Sequence, residues 1–358
     1  MTEPDVPGER PVEPIAASQL LSQALNHLRP FEPVPADLSS GQRGADAAHT
    51  THTTHTTHAT GADYAYAENH NGTTDSKSNT EEALPPLSVV IERIHARVQA
   101  FLSETHPADS LLASAQRQTR ISLGVVAEAI AKYNMSGLSL SYNGGKDCLV
   151  LLILFLAGLH PYSSHTQQSE DSNIPSTAES SSQNQDSIES GMIPSIYALP
   201  PDPFPAVEEF VLSSAKAYYL SITKYTTEPP HTTLKSSFED YLSRHPNVRG
   251  IFVGTRRTDP HGAKLTHFDR TDGGWPDFMR IHPVIDWHYA EIWAFIRHLG
   301  LRYCSLYDMG YTSLGGTSDT LPNPRLRRED DKESSESDGG YLPAYKLMQD
   351  LEERLGRN

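Results

Sequence analysis

A chain of 358 residues, 37% of them hydrophobic, has the length for one large domain or two small ones, and its clustered polar blocks favour one domain plus unstructured sequence. A formal net charge of −16 argues against general affinity for nucleic acid or anionic membranes, so an enzyme acting on anions needs its positive charge concentrated locally. The two cysteines, Cys148 and Cys304, lie far apart outside any Cys-x-x-Cys pattern, which argues against a disulfide framework or a structural zinc site and suits a reducing compartment.

The acidic, Pro-containing start lacks the basic and apolar regions of a signal peptide and the Arg-rich helix of a mitochondrial presequence, so a cytoplasmic location is expected. Residues 1–84 are rich in Pro, Gly, Ser and Thr and carry the repeat HTTHTTHTTHAT at 49–60. They read as a disordered tail with at most a transient helix at 16–28. A His-rich tract has metal-binding potential, but the regular Thr spacing favours a slippage repeat.

Apolar spacing then predicts helices over 87–102 and 111–133, and an alternating strand over 137–142. After the turn Asn143-Gly144-Gly145 comes a helix over 146–160. Its apolar run, 149–159, is too short to cross a bilayer and reads as a helix buried against a sheet. Strands follow at 193–198, 219–224 and 248–254, with helices at 206–217 and 234–244 between them. Alternating strands and helices predict an α/β fold: a doubly wound, mainly parallel sheet with helices on both faces, occupying residues 85–358. A monomer is expected. Polar inserts at 163–191 and 329–340 read as surface loops. Trp287 and Trp293 sit at helical spacing with Ile292 and Phe295 and read as core.

The residues that suggest chemistry start at Ser141-Tyr142-Asn143-Gly144-Gly145-Lys146-Asp147-Cys148, where a strand's carboxyl end turns into a helix, the ligand-binding position of open α/β sheets. Gly144 and Gly145 let backbone approach phosphate, the helix start offers free N–H groups, and Lys146 adds a mobile cation. Taken alone, a tight turn with glycines for geometry fits nearly as well. It is not a Walker loop, since Lys146 is followed by Asp147 and the earlier glycine is missing. The block Gly254-Thr255-Arg256-Arg257-Thr258-Asp259 follows the 248–254 strand on the same sheet edge. Arg256, Arg257 and Asp259 there suit a triphosphate and its Mg2+, a carboxylate holding the cation while guanidinium groups grip oxygens, although taken alone a surface turn with an Arg–Asp pair fits about as well.

These segments resemble the PP-loop ATP pyrophosphatase superfamily, whose motif is Ser-Gly-Gly-x-Asp-Ser; here Asn143 takes the first Ser position and Cys148 the last. The Asn-Gly-Gly-Lys-Asp form is similar to the eukaryotic FAD synthases, close in fold to phosphoadenylyl-sulfate reductases. That resemblance implies AMP transfer from ATP to FMN with Mg2+, and it spans roughly residues 87–358 apart from the inserts. It further implies that Asn143 orients a phosphate oxygen and that Asp259 is a catalytic, metal-linked carboxylate. Asp147 is implied to hold either loop or metal. Asp272, Trp275 and Arg280, in an Asp-x-x-Trp-Pro…Arg pattern, correspond to the flavin-binding region, although by itself Trp275 reads more readily as a core or loop anchor. A Tyr-x-Ser-Leu-Gly-type segment at 311–315 belongs near the substrate. Arg354 and Arg357, as an Arg-x-x-Arg terminus, match the fungal enzymes and are implied to grip phosphates. Apolar spacing over 341–353 predicts a helix delivering both from one face, although on residues alone a frayed, solvated tail is the readier reading. Two alternatives stay open on residues alone. One is a sulfonucleotide reductase-like enzyme, which needs a reactive C-terminal cysteine, and the other is a non-catalytic flavin-binding module.

Overall fold

The computed structural model describes residues 84–163, 191–226, 233–328 and 340–358. The expectations for the tail at 1–84, including its His-rich run and the 16–28 helix, and for the interiors of both inserts lie outside these residues.

Six strands form one sheet: β1 (Leu138–Ser141), β2 (Ile193–Ala198), β3 (Leu220–Tyr225), β4 (Gly250–Val253), β5 (Phe268–Arg270) and β6 (Met279–Ile281), in the order β3-β2-β1-β4-β6-β5. All neighbouring pairs are parallel except β5–β6, a hairpin. The chain winds outward from β1 through β2 to β3, then returns to place β4 on the other side of β1. The crevice between the carboxyl ends of β1 and β4 is therefore the topological switch point, where this class of sheet binds ligands.

Helices α1 (Leu87–Ser103), α2 (Leu111–Tyr133), α3 (Lys146–Ser163), α4 (Pro205–Tyr218), α5 (Leu234–Arg244), α6 (Tyr289–His298) and the short α7 (Ser305–Asp308) cover the sheet. In α1 the buried positions are Leu87, Ile91, Ile94, Val98 and Phe101, one stripe at helical spacing. Ser110 caps α2 by accepting from the Ala113 N–H at 3.2 Å. Helix α3 is apolar all round because it packs on the sheet and beneath α1, α2 and α6. Every residue from Leu149 to Ala157 is buried, and each large side chain so buried contributes about 1.5–3 kcal/mol. With Ser163 included, α3 is long and apolar enough to cross a membrane by composition, yet 72% of it is buried in the fold. Trp287 and Trp293 belong to this core, as expected. The opposite face carries a smaller core of Ile196, Phe238, Tyr241, Ile251 and Phe278 under α5.

The helix expected over 341–353 does not form. The chain makes two 3-10 turns, Ala344–Lys346 and Asp350–Glu352, and then a further turn. The apolar spacing misleads because Met348 and Leu351 point to solvent, the latter 94% exposed. Polar anchors hold the segment instead. Asp350 accepts the Tyr289 N–H at 2.6 Å, and the Glu352 and Glu353 carbonyls accept from Asn323 and Thr312.

Candidate active site

The sharp turn after β1 is set by Gly144, whose φ of +64° is left-handed backbone that glycine adopts at no steric cost. Asn143 is buried, and its Oδ1 accepts the Gly145 N–H at 3.3 Å, holding the turn against the start of α3. The Lys146 N–H donates to the Tyr307 hydroxyl at 3.2 Å. Ser141 ends β1 in the buried layer, and its carbonyl accepts from the Cys148 thiol. Cys148 faces Gly254 of the next loop, where a Cβ would lie 2.7 Å from Sγ. The two loops of the switch point are thus packed backbone against thiol.

Beneath this turn lies a buried charge cluster. Lys146 Nζ is 2.9 Å from Asp147 Oδ2 and also bonds Glu353, and all three side chains are essentially inaccessible. The Arg256 guanidinium, fully buried, lies 2.7 Å from Asp147 Oδ1 through Nε, pairs with Glu353 through Nη2, and reaches Asp350 at 3.3 Å through Nη1. Asp147 and Glu353 each bridge the same two cations, closing a ring of alternating charge. Asp259 accepts the Arg256 backbone N–H at 2.7 Å, its other oxygen 3.8 Å from the guanidinium. Burial disfavours charge on Arg256, but Asp147, Glu353 and Asp259 outweigh it and hold the group protonated. Asp147 is desolvated too, yet Arg256 and Lys146 keep its carboxyl below the usual range. Asp259 goes the other way. Burial, with Glu353 and Asp147 nearby, pushes its carboxyl up despite Arg256.

Lys146 is therefore no mobile phosphate ligand of the kind the sequence suggests, since its ammonium is sealed between two carboxylates and the Tyr289 ring, 5.2 Å away. Arg257 also differs from expectation. It braces its own loop, with Nε 2.6 Å from Asp286 and Nη1 donating to the Ala263 and Leu265 carbonyls. Glu353, which completes the ring, is absent from the sequence-based site. It lies 207 positions from Lys146, and its signal was only that two buried cations require counter-charges.

The C-terminal strap rests on residues 311–323. Arg357 pairs with Asp319 at 2.7 Å and lies flat on Gly315, where a Cβ would strike its guanidinium. Arg354 Nη1 reaches Ser313 Oγ at 3.5 Å, and its buried Nη2 has no partner among the described residues. The buried Thr255 hydroxyl is likewise unpaired there. Unsatisfied buried donors are costly and mark a place for an acceptor.

Asp272, Trp275 and Arg280 cluster on their own at the β5–β6 hairpin. Arg280 Nη1 lies 3.5 Å from Asp272, and Trp275, half-buried, stands edge-on to Phe238 of α5 with centroids 6.5 Å apart. A separate cavity of about 270 Å3, lined by Arg93, Arg97, Ile153 and Leu301 among others, shares no residue with either cluster.

The phosphoadenosine phosphosulfate reductase domain family matches residues 137–322. A probable FAD synthase of Schizosaccharomyces pombe is 37% identical over 268 residues, spanning 75% of this chain and 89% of that protein. The chain belongs to the FAD synthase family. The flavin adenine dinucleotide synthase of Saccharomyces cerevisiae is 33% identical over 61% of this chain and 70% of its own length. Candida glabrata FMN adenylyltransferase, solved with FAD and inorganic pyrophosphate, superposes with a TM-score of 0.66 at 27% identity, covering 77% of this chain and 99% of that one. The same enzyme with FMN and the ATP analogue AMPCPP gives 0.65 at 26%. Within this FAD synthase family member both thiols are chemically quiet. Burial pushes Cys148 and Cys304 up to about 12, leaving negligible thiolate for reductase-type chemistry.

Proposed function

We propose that this chain transfers AMP from ATP to FMN, forming FAD and pyrophosphate. The observation that carries the reading is the convergence at one switch point of the Asn143–Gly145 turn, the loop of Thr255 to Asp259, and the C-terminal Arg354 with its unsatisfied buried donor. In the reaction an FMN phosphate oxygen attacks the α-phosphorus of ATP. A P–O bond forms as the bond to the pyrophosphate oxygen breaks, and the nucleophile is already anionic, so no strong base is needed. The guanidinium of Arg354 faces the charge that develops on the phosphates, while Arg357 seats the strap; the Gly145 and Lys146 N–H groups are taken by Asn143 and Tyr307 and hold the turn. Asn143 shapes the turn and orients a phosphate oxygen. Lys146 and Arg256 act indirectly, by fixing Asp147, Asp259 and the strap.

Four carboxylates (Asp147, Asp259, Asp350, Glu353) face two cations in the cluster, a formal excess of two negative charges. Asp147 and Glu353 have both oxygens engaged in the ring, so Asp259, a hard-oxygen donor beside that negative excess, is the residue that would hold Mg2+. Bound there, the ion supplies charge neutralisation on the polyphosphate. Because FMN carries its ring and its phosphate at opposite ends of a ribityl chain, a flavin site at Asp272, Trp275 and Arg280 separate from the phosphate cluster is what such a substrate requires. Two buried, unpaired thiols accord with a reducing compartment, and we place the reaction in the cytoplasm, carried out by a monomer. Pyrophosphate release from ATP that depends on FMN tests the reading, and ATP turnover indifferent to FMN refutes it. Light scattering tests the monomer.

A further inference from the structure

We infer that Glu104, His106 and His298 form a second metal site, for a borderline divalent cation of the Zn2+ type, that clasps the carboxyl ends of α1 and α6. His106 Nε2 lies 2.8 Å from Glu104 Oε2, and His298 Nε2 lies 2.8 Å from the same oxygen. One donor atom from each of the three residues falls within 4.8 Å of the others. A tetrahedral ion about 2.0–2.2 Å from each ligand sets donors about 3.3–3.6 Å apart, so small rotamer shifts suffice to admit it. Two imidazoles and one carboxylate, with a position left for water, select Zn2+, Co2+ or Ni2+ over Mg2+, which prefers oxygen throughout.

The three side chains are held before any ion arrives. The turn carrying Glu104 and His106 is tied from behind by Gln116, whose Nε2 donates to the Phe101 and Glu104 carbonyls at 2.6 and 2.9 Å, and by Arg120 to the Leu102 carbonyl at 2.8 Å. His298 closes the last turn of α6. The buried Phe101 ring sits against both imidazoles, with centroids 5.1 Å from His298 and 6.5 Å from His106. Two helix carboxyl ends converge here, and their partial negative charge favours a cation. The far end of α6 presents the Tyr289 N–H that holds Asp350, so a clasp at His298 braces the helix on which the C-terminal strap is anchored. None of the three ligands belongs to the cluster that binds phosphates.

The test uses the full chain with the histidines of the 49–60 run (His49, His52, His55, His58) replaced by alanine, so that they do not compete for metal. Zn2+ is titrated calorimetrically with Mg2+ in excess, and thermal unfolding and the d–d bands of a Co2+-loaded sample are recorded in parallel. The expected result is one Zn2+ per chain, a raised unfolding midpoint, and tetrahedral Co2+ bands. Removing even an outer-shell partner of a metal site costs about tenfold or more in affinity. His106→Ala and His298→Ala, added singly, are each expected to lower affinity by at least that factor, with near-UV circular dichroism and FMN-dependent pyrophosphate release in Zn2+-free buffer unchanged. Absence of binding overturns the inference, and so does Zn2+ binding that neither substitution weakens.

Discussion

Replacing Lys146 by methionine removes a charge while conserving most of the volume, and it separates two roles for this side chain. As a mobile phosphate ligand, Lys146 contributes to turnover and little to folding. As part of the buried ring, its loss leaves Asp147 and Glu353 sharing Arg256 alone, with Asp259 and Asp350 adding like charge. Removing one partner of a buried ion pair costs about 3–5 kcal/mol. For a domain of this size each kcal/mol lowers the melting point by about 2–4 °C, so a drop of about 6–20 °C is expected in nucleotide-free buffer. The pH dependence has a defined sign. Asp147 is held below its ordinary value of 3.8 and so contributes stability above that value, which is lost as pH falls through the folded value. Lys146→Met removes one of the two charges that depress it. The gap between wild type and variant is therefore widest near neutrality and narrows toward acid. Differential scanning calorimetry from pH 8 down through and below 3.8 measures both. A variant melting within about 2 °C of wild type while losing turnover refutes the buried-ring reading and restores Lys146 as a phosphate ligand.

Asp259→Asn is expected to abolish most turnover, about 10²–10³-fold or more, while raising stability at neutral pH by about 0.5–2 kcal/mol. Its folded carboxyl is raised by burial, so in the wild type this group costs stability as pH rises from its ordinary 3.8 through the folded value, and denaturant melts should show that decline flattened in the variant. Arg354→Ala should lower the single-turnover rate about 10²–10³-fold with a melting point within about 2 °C of wild type, whereas Glu353→Ala should lower both, because Glu353, unlike Arg354, ties the strap to Lys146 and Arg256. Equal thermal effects of the two substitutions would contradict this division. Trp275→Ala is expected to raise the apparent KM for FMN several-fold more than that for ATP, and tryptophan fluorescence lost on FMN binding should diminish with it. Identical shifts for both substrates would return Trp275 to a purely packing role beside Phe238.

The local pattern of the sequence determined most of the secondary structure and the address of the site. Apolar spacing placed α1, α2 and α3, the alternation of strands with helices placed β1 to β4, and the Asn143-Gly144-Gly145 turn marked the loop. These features are legible because periodicity and turn chemistry depend on residues within a few positions of one another. The C-terminal segment read wrongly for the same reason. Its spacing is helical, but Asp350 and Glu353 have partners at Tyr289, Lys146 and Arg256 that outcompete the helix, and no local rule contains them. Tertiary structure alone decided which charges are buried in ion pairs. Lys146 and Arg256, written as exposed cations beside a loop, are withdrawn into a ring closed by Glu353. A residue's charge is written in the sequence, but its solvation is not. Whether a cation meets substrate or a carboxylate depends on which segment, here one 207 positions away, folds over it.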